Sequence, residues 1–259
     1  MISVLFVGYG NDQSYYEKLR FKFGSGVQFS WFDNKSGIGK VGDNQFIFSD
    51  GNILYEFSGY LYLLQKFSEY NPKSSSSVIW LVNDTLVNHH AFPLWRKIVK
   101  NSISQLLPFS ILADVRSARD SYGPYKYAAS WMYIFRTEEL SKFYGSLEGA
   151  IRLGHAHRKY YEGVRKKDYG RHLDDVKRSR LLKWLFSKKI FKGWQYSQKF
   201  ENTPTEIRVR KGICIEMETY FSSELVSSGF SIVDLKSGYR GFILSAADRF
   251  ITFLLKLKR

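Results

Sequence analysis

The chain has 259 residues, enough to bury a full core in one α/β domain or in two small ones. Its 44% hydrophobic and 17% aromatic content excludes a largely disordered protein, and the single Cys214 excludes an intramolecular disulfide or a cysteine zinc cluster. The formal charge of +15 calls for an anionic partner: nucleic acid, phospholipid head groups or a phosphorylated substrate. Between Arg158 and Lys199 there are 14 Lys/Arg against 4 Asp/Glu, so a net +10 sits in one segment. Met1 is followed at once by a strand-like run, and no apolar stretch reaches spanning length. The expectation is therefore a cytoplasmic protein, neither secreted nor transmembrane.

Residues 2–7 read as a first buried strand, followed by the loop Gly8-Tyr9-Gly10-Asn11-Asp12 and a helix marked by Tyr15, Leu19 and Phe23. Residues 27–32 make a second strand, closed by Asp33-Asn34 and a glycine-rich loop through Ser36, Gly37, Gly39 and Gly42. Ile53, Phe57, Leu61, Leu64 and Phe67 follow helical spacing up to Asn71-Pro72. A strand over 78–86 comes next, then a helix through Phe92, Trp95, Ile98, Val99 and Ile103, and a strand over 109–115. Residues 128–135 form a further strand, and Thr137 is placed to cap the helix after it. Beyond the basic segment come a helix over 214–227, a strand over 230–235 and a C-terminal helix. This alternation predicts an α/β fold, a mostly parallel sheet flanked by helices. The whole of residues 1–259 reads as one domain, with a basic helical insertion at about 155–200 and an amphipathic C-terminal helix at about 244–259.

The apolar run Val-Ile-Trp-Leu-Val from Val78 stops abruptly at Asn83-Asp84-Thr85. Continuous apolar runs mark buried parallel strands, and open α/β sheets bind ligands beyond the carboxyl ends of their strands, where a carboxylate is able to hold a divalent cation. The local alternative is that Asp84 or Thr85 caps the next helix. Gly8, Tyr9, Asp33 and Asn34 stand at the ends of the first two strands, Glu56 on the helix before the Asp84 strand, and Arg116 and Arg119 just past another strand.

Several segments together resemble a known family. The stretch Asn52-x-x-Tyr55-Glu56-Phe57-x-Gly59-Tyr60, the strand ending in Asn83-Asp84-Thr85, the segment Ser121-Tyr122-Gly123-Pro124-Tyr125-Lys126-Tyr127-Ala128-Ala129-Ser130 and the helix opening at Glu216-Met217-Glu218 are similar, in order and spacing, to GT-A-type glycosyltransferases. The nearest group is that of bacterial polysaccharide synthesis, including rhamnan-synthesis and O-antigen proteins, and the similarity covers roughly residues 1–150 and 205–235. It implies a GT-A-like (Rossmann-like) fold and transfer of a sugar from a nucleotide-sugar donor to a lipid-linked or growing surface polysaccharide, such as O-antigen, capsule or lipopolysaccharide. Asp84 then stands where such enzymes carry an Asp-x-Asp motif binding the donor through Mn²⁺ or Mg²⁺. Val82 replaces the first carboxylate, so metal dependence is left open. The donor set implied is Gly8, Tyr9, Asp33 and Asn34 about the nucleotide base and ribose, Glu56 on a ribose hydroxyl, and Asn83, Asp84 and Arg116 at the diphosphate, with Arg119 as a further cation for the leaving group. The alternatives are an ordinary helix acid at Glu56 and solvated loop arginines at Arg116 and Arg119. Glu218, eleven residues before Gly229, is the first candidate for the base of an inverting transfer and Glu216 the second, against the alternative that both complement a helix N-terminus. The tyrosines of the 121–130 segment are implied on the acceptor side.

His155 and His157 stand two apart, which suits no helical metal pair, and read as loop residues. Apolar Leu181, Leu182, Trp184, Leu185, Phe186, Ile190, Phe191 and Trp194 interleave with Arg178, Arg180, Lys183, Lys188, Lys189 and Lys192, and the C-terminus repeats the pattern with Phe253 and Lys256. Such faces either lie in an anionic membrane interface or pack on the core. The expectation is a peripheral protein on the inner face of the plasma membrane. Two rivals remain: a methyltransferase using S-adenosylmethionine at the Gly8-x-Gly10 loop, and a nucleic-acid-binding protein. Confinement of the charge to one apolar-faced segment argues against nucleic acid.

Overall fold

A computed structural model describes residues 1–48, 54, 56–71, 77–89, 91–120, 122–162, 169–186, 204–237, 243, 244, 246 and 247. In chain order the elements are β1 (Ile2–Gly8), α1 (Gln13–Phe23), β2 (Val27–Asp33), β3 (Ile38–Val41), β4 (Asn44–Ile47), α2 (Glu56–Tyr70), β5 (Val78–Asn83), α3 (Asp84–His89), α4 (Phe92–Ile103), β6 (Ser110–Asp120), β7 (Gly123–Arg136), α5 (Leu140–His157), α6 (Asp175–Leu185), α7 (Thr205–Ser227) and β8 (Ser231–Asp234). The strands form one sheet in the order β4-β3-β2-β1-β5-β7-β6-β8.

Side chains alternate across a strand, so each central strand feeds two cores. Val4, Phe6, Trp80, Val82, Met132 and Ile134 point to one face, where α1 and α4 bring Tyr16, Leu19, Phe23, Trp95 and Val99. Leu5, Val7, Ile79, Leu81, Tyr133 and Phe135 point to the other, under Phe57, Tyr60, Leu64 of α2, Phe143 and Leu147 of α5, and Ile213, Met217 and Phe221 of α7. The result is a three-layer α/β/α arrangement. Gly59 lets α2 press onto the sheet, because a Cβ there would lie 2.5 Å from Val7 and 2.6 Å from Asn34. Gly229, at φ 86°, takes the left-handed turn that ends α7, its N–H bonding Val226 while Phe230 N–H returns to Leu225.

The sheet is mixed rather than mostly parallel. Among the described residues β1–β2, β1–β5 and β6–β8 are parallel, whereas β2–β3, β3–β4, β5–β7 and β6–β7 are antiparallel. Two tight connections cause this. Asp120 pairs with Gly123, so β7 must return alongside β6 and enters the sheet between β6 and β5. The glycine-rich loop folds as the β3–β4 hairpin, with Val41 and Phe46 buried. Most of the 121–130 connector is in fact the first half of β7. Thr137 does not cap α5: a 3₁₀ turn over Thr137–Glu139 precedes that helix, and buried Glu139 accepts the backbone N–H groups of Arg136 and Phe109.

Within the basic segment the described residues are 155–162 and 169–186, and the one α-helix that lies wholly inside it among them is α6. Its Leu181 and Leu185 are 3% and 0% exposed in the core under α7, so this apolar face packs inward and only Lys183 of the proposed membrane set is described there as exposed. The Trp184 side chain, Lys188, Lys189, Phe253 and Lys256, with most of the proposed C-terminal helix, lie outside the described residues. Among the described residues no helix is long and apolar enough to cross a membrane.

Candidate functional site

Register brings the predicted positions to one edge. Gly8 pairs with Asp33 and Val7 with Asn83, so the three parallel strands end level with one another. On antiparallel β7, Met132 lies opposite Val82, which carries Ser130 to that edge, and the Arg116–Tyr127 pair of β6 and β7 comes next.

At the first two strand ends the polar groups hold the chain itself. Asp33 accepts from Tyr16 Oη and Asn11 N on one carboxylate oxygen, and from Lys35 N at 3.0 Å and Ser36 N at 2.9 Å on the other. Burial works to raise its pKa, but these four hydrogen bonds hold it below the usual range. Asn34 N–H bonds Gly8 O, Gly8 packs under Tyr16, and Tyr9 is exposed. These four donor candidates lie together beside the cleft, with Asp33 as the organiser of two loops.

At the third strand end the division of labour is different. Asn83, buried, accepts Thr85 N–H at 3.0 Å and so caps α3, a short helix between β5 and α4; neither Asp84 nor Thr85 caps α4, which starts at Phe92. That leaves Asp84 for chemistry. Burial, followed by the nearby Glu56 and Asp33 carboxylates, pushes its pKa up to about 6. Among the described residues no basic side chain pairs with it.

Glu56, at the start of α2, and Glu218, in the middle of α7, converge on Ser130. The Ser130 Oγ lies 2.6 Å from Glu56 Oε1 and 2.7 Å from Glu218 Oε1, and Ser130 N–H donates to the same Glu218 oxygen at 3.3 Å. Tyr60 fixes the strand by donating to Ser130 O at 2.8 Å. A hydroxyl carries one hydrogen and cannot donate to two carboxylates at once. A proton, a cation or the hydroxyl of an incoming substrate is needed to complete the arrangement. Glu56 and Glu218 line a cavity of about 160 Å³ with Arg116, Tyr127, Arg180 and Lys211. Arg116 Nε is 3.3 Å from buried Asp114, and although burial opposes its charge, Asp114 and Glu218 keep its pKa above the usual value. Arg116 therefore stands beside Glu218, away from the Asp84 strand end. A larger cavity, about 710 Å³, opens at the opposite edge of the sheet by Val78 and Arg136 and contains none of the predicted residues.

Glu216 does not join this site. Residues two apart on a helix face opposite ways, and Glu216 is buried among His157, His172 and Tyr161, with His157 Nδ1 at 3.1 Å and His172 Nε2 at 2.6 Å from one oxygen and the Tyr161 hydroxyl on the other. His155 and His157 both belong to the last turn of α5, not to a loop. The three groups His157, His172 and Glu216 are of metal-ligating types, but the two histidines lie at hydrogen-bond distance from a single carboxylate oxygen. The sequence places Arg180 only on the basic face and Ser130 only at the end of the acceptor-side segment, and nothing in it marks Lys211 or His172. Ser130 alone left a signal, as the one polar residue in the buried run from Ala128 to Phe135.

Compared with known protein families, curated proteins and solved structures, the chain matches none.

Proposed function

We propose that the chain is a GT-A-like glycosyltransferase that moves a sugar from a nucleotide donor to a glycan or lipid-linked acceptor of the bacterial cell surface. The observation that carries this reading is the convergence of Glu56 and Glu218 on Ser130, at the strand edge that also bears Asp84. Such an edge is where open α/β sheets bind their ligands. Glu218 takes the proton of the acceptor hydroxyl as the new bond forms, and Ser130 N–H and Oγ hold its carboxylate in place. One base set against the donor fits inversion at the sugar carbon.

The donor set suits Mn²⁺ or Mg²⁺, which favour oxygen ligands. At Asp84 burial and the Glu56 and Asp33 carboxylates outweigh the backbone hydrogen bonds it accepts, and Glu56 is the larger of the two acidic influences. Asp84 would hold the ion, with Glu56 beside it, and the ion would supply charge neutralisation for the leaving diphosphate. Docking to anionic membrane on the cytoplasmic side belongs to the same reading, through the basic stretch beyond α6 and the C-terminal residues.

The test is a thermal-shift screen of nucleoside diphosphates and nucleotide sugars with and without Mn²⁺, followed by transfer assays on the responding donor. A bound nucleotide raises the melting temperature. Asp84→Asn is expected to remove the Mn²⁺-dependent part of that shift. Glu218→Gln is expected to keep the shift while lowering turnover by about 10²–10⁴-fold, the usual contribution of a general base. Full activity in both variants would overturn the assignment, and a response to S-adenosylmethionine instead would replace it with the methyltransferase.

A further inference from the structure

We propose that the basic end of the Glu218 cavity is a phosphate subsite for the acceptor, built from Arg180, Lys211 and Arg116. This rests on the transferase reading for the word acceptor, but not for the phosphate. Glu56 and Glu218 share the cavity lining with Arg116, Arg180, Lys211 and Tyr127; Arg116 stands on β6, beyond β7 from the strand that leads to Asp84, and Arg180 lies against Tyr125 and Tyr127 of β7. Arg180 carries the second observation: its Nη1 is buried and has no hydrogen-bond partner, and among the described residues the guanidinium makes no ion pair. Its group centre lies 5.5 Å from the Tyr127 ring and 5.6 Å from the Tyr125 ring, so stacking fixes its plane while its N–H edge is left for another group. Arg116 engages Asp114 through Nε only.

A buried N–H without an acceptor is costly, so an anion is the natural complement of Arg180 Nη1. Two guanidinium forks and an ammonium match the several oxygens of a phosphate. At about 160 Å³ the cavity is smaller than a complete ligand pocket, and it takes one group of a larger molecule. In the sheet β7, which Glu218 meets at Ser130, separates β5, which leads to Asp84, from β6, which carries Arg116. A phosphate seated here is thus across β7 from the donor, and the acceptor carries it close to the hydroxyl that attacks. The chemistry fits a sugar phosphate and a lipid-borne phosphate alike.

The experiment titrates the full chain with inorganic phosphate, with glucose 1-phosphate and, in flotation, with phosphatidylcholine vesicles with and without phosphatidic acid. Variants are Arg180→Gln, Arg180→Lys, Lys211→Gln and Asp84→Asn, each shown by its melting curve to be folded. Loss of the guanidinium or of Lys211 is expected to weaken phosphate or glucose 1-phosphate binding by about tenfold, and Arg180→Lys by less, since it keeps charge without the fork. Asp84→Asn is expected to leave it within about twofold, because a mutation outside the phosphate contacts acts nearly independently. Retention on phosphatidic acid vesicles that falls in Arg180→Gln assigns a lipid-borne phosphate. Binding of soluble glucose 1-phosphate alone assigns a soluble one. Affinity unchanged in Arg180→Gln and Lys211→Gln, or lost equally in Asp84→Asn, overturns the subsite. Phosphate binding that depends on Arg180 in a protein that binds no nucleotide would leave the subsite standing and remove the transferase. Nucleotide binding without it would do the reverse.

Discussion

Asp84 and Asp33, neighbours at the strand edge, are held in opposite ways. Four hydrogen bonds outweigh burial at Asp33, whereas at Asp84 burial and two neighbouring acids outweigh the backbone hydrogen bonds. An ordinary aspartate in the unfolded chain releases its proton near pH 4, roughly. In the folded protein Asp84 keeps it to about pH 6. Between those values the folded state binds the extra proton, so stability falls as pH rises through the window, and the cost is fully present above it. Asp84→Asn is uncharged throughout. It should therefore be more stable than the parent at pH 7.5, by on the order of 1–3 kcal/mol, and show no advantage near pH 4. Urea melts at the two pH values check this, and a variant that is equally or less stable at pH 7.5 would show that the site is not strained in this way. A residue that lowers stability where it stands is characteristic of binding sites, since a cation or substrate relieves the cost.

On the scale of elements, α7 shows what a sequence pattern reveals and what it hides. Glu216 and Glu218 look equivalent in the string Glu-Met-Glu, yet the helical period turns one toward Ser130 and the other toward His157, His172 and Tyr161. Choosing between them needs the position of β7, and β7 is set by the Asp120–Gly123 turn rather than by any local period. The long uniform runs of β1, β2, β5 and β7 and the helical spacing of α1, α2 and α4 were legible because each element is amphipathic or wholly buried over several turns or residues. β3 and β4, four residues each, are interrupted by Gly39 within β3 and Gly42 between the two and read as a loop, whereas β8, equally short, carries an uninterrupted apolar core of Ile232 and Val233. Arg180, Lys211 and Ser130 come from three distant parts of the chain, so nothing local marks them as one group. The two acids of α7 should consequently fail in different ways. Glu216→Ala leaves two imidazoles and a phenol facing an empty buried position and should lower stability by about 2–4 kcal/mol. Glu218→Gln should change stability little and turnover greatly. Denaturant melts and turnover measured on the same preparations separate the two, and equal stability losses would contradict the division of faces.

For the whole molecule, the charge of +15 and the acidic strand edge act over different ranges. The field of the basic surface draws anions from a distance, and the carboxylates act only within the cleft, where Asp84, Glu56 and Asp33 face one another. Burial of Leu181 and Leu185 removes the apolar face of α6 from any membrane contact, leaving Lys183 and its neighbours to act by charge alone. Apolar insertion, if the proposed docking uses it, must come from elsewhere: the 187–203 stretch or the C-terminal Phe250-Ile251-Thr252-Phe253-Leu254-Leu255 run. These two kinds of attachment respond oppositely to salt, since surface electrostatics are screened within about 3 Å at 1 M salt while burial of apolar groups is not weakened by it. Flotation on phosphatidylglycerol vesicles should therefore leave a salt-resistant fraction bound for the intact chain. A chain lacking residues 245–259 should lose more of its binding in high salt than the intact chain does. Neutralising Lys183, Lys188 and Lys189 should reduce binding at low salt without touching the resistant fraction. Binding by the truncated chain that survives high salt as well as the intact chain does would place the apolar anchor outside the C-terminus.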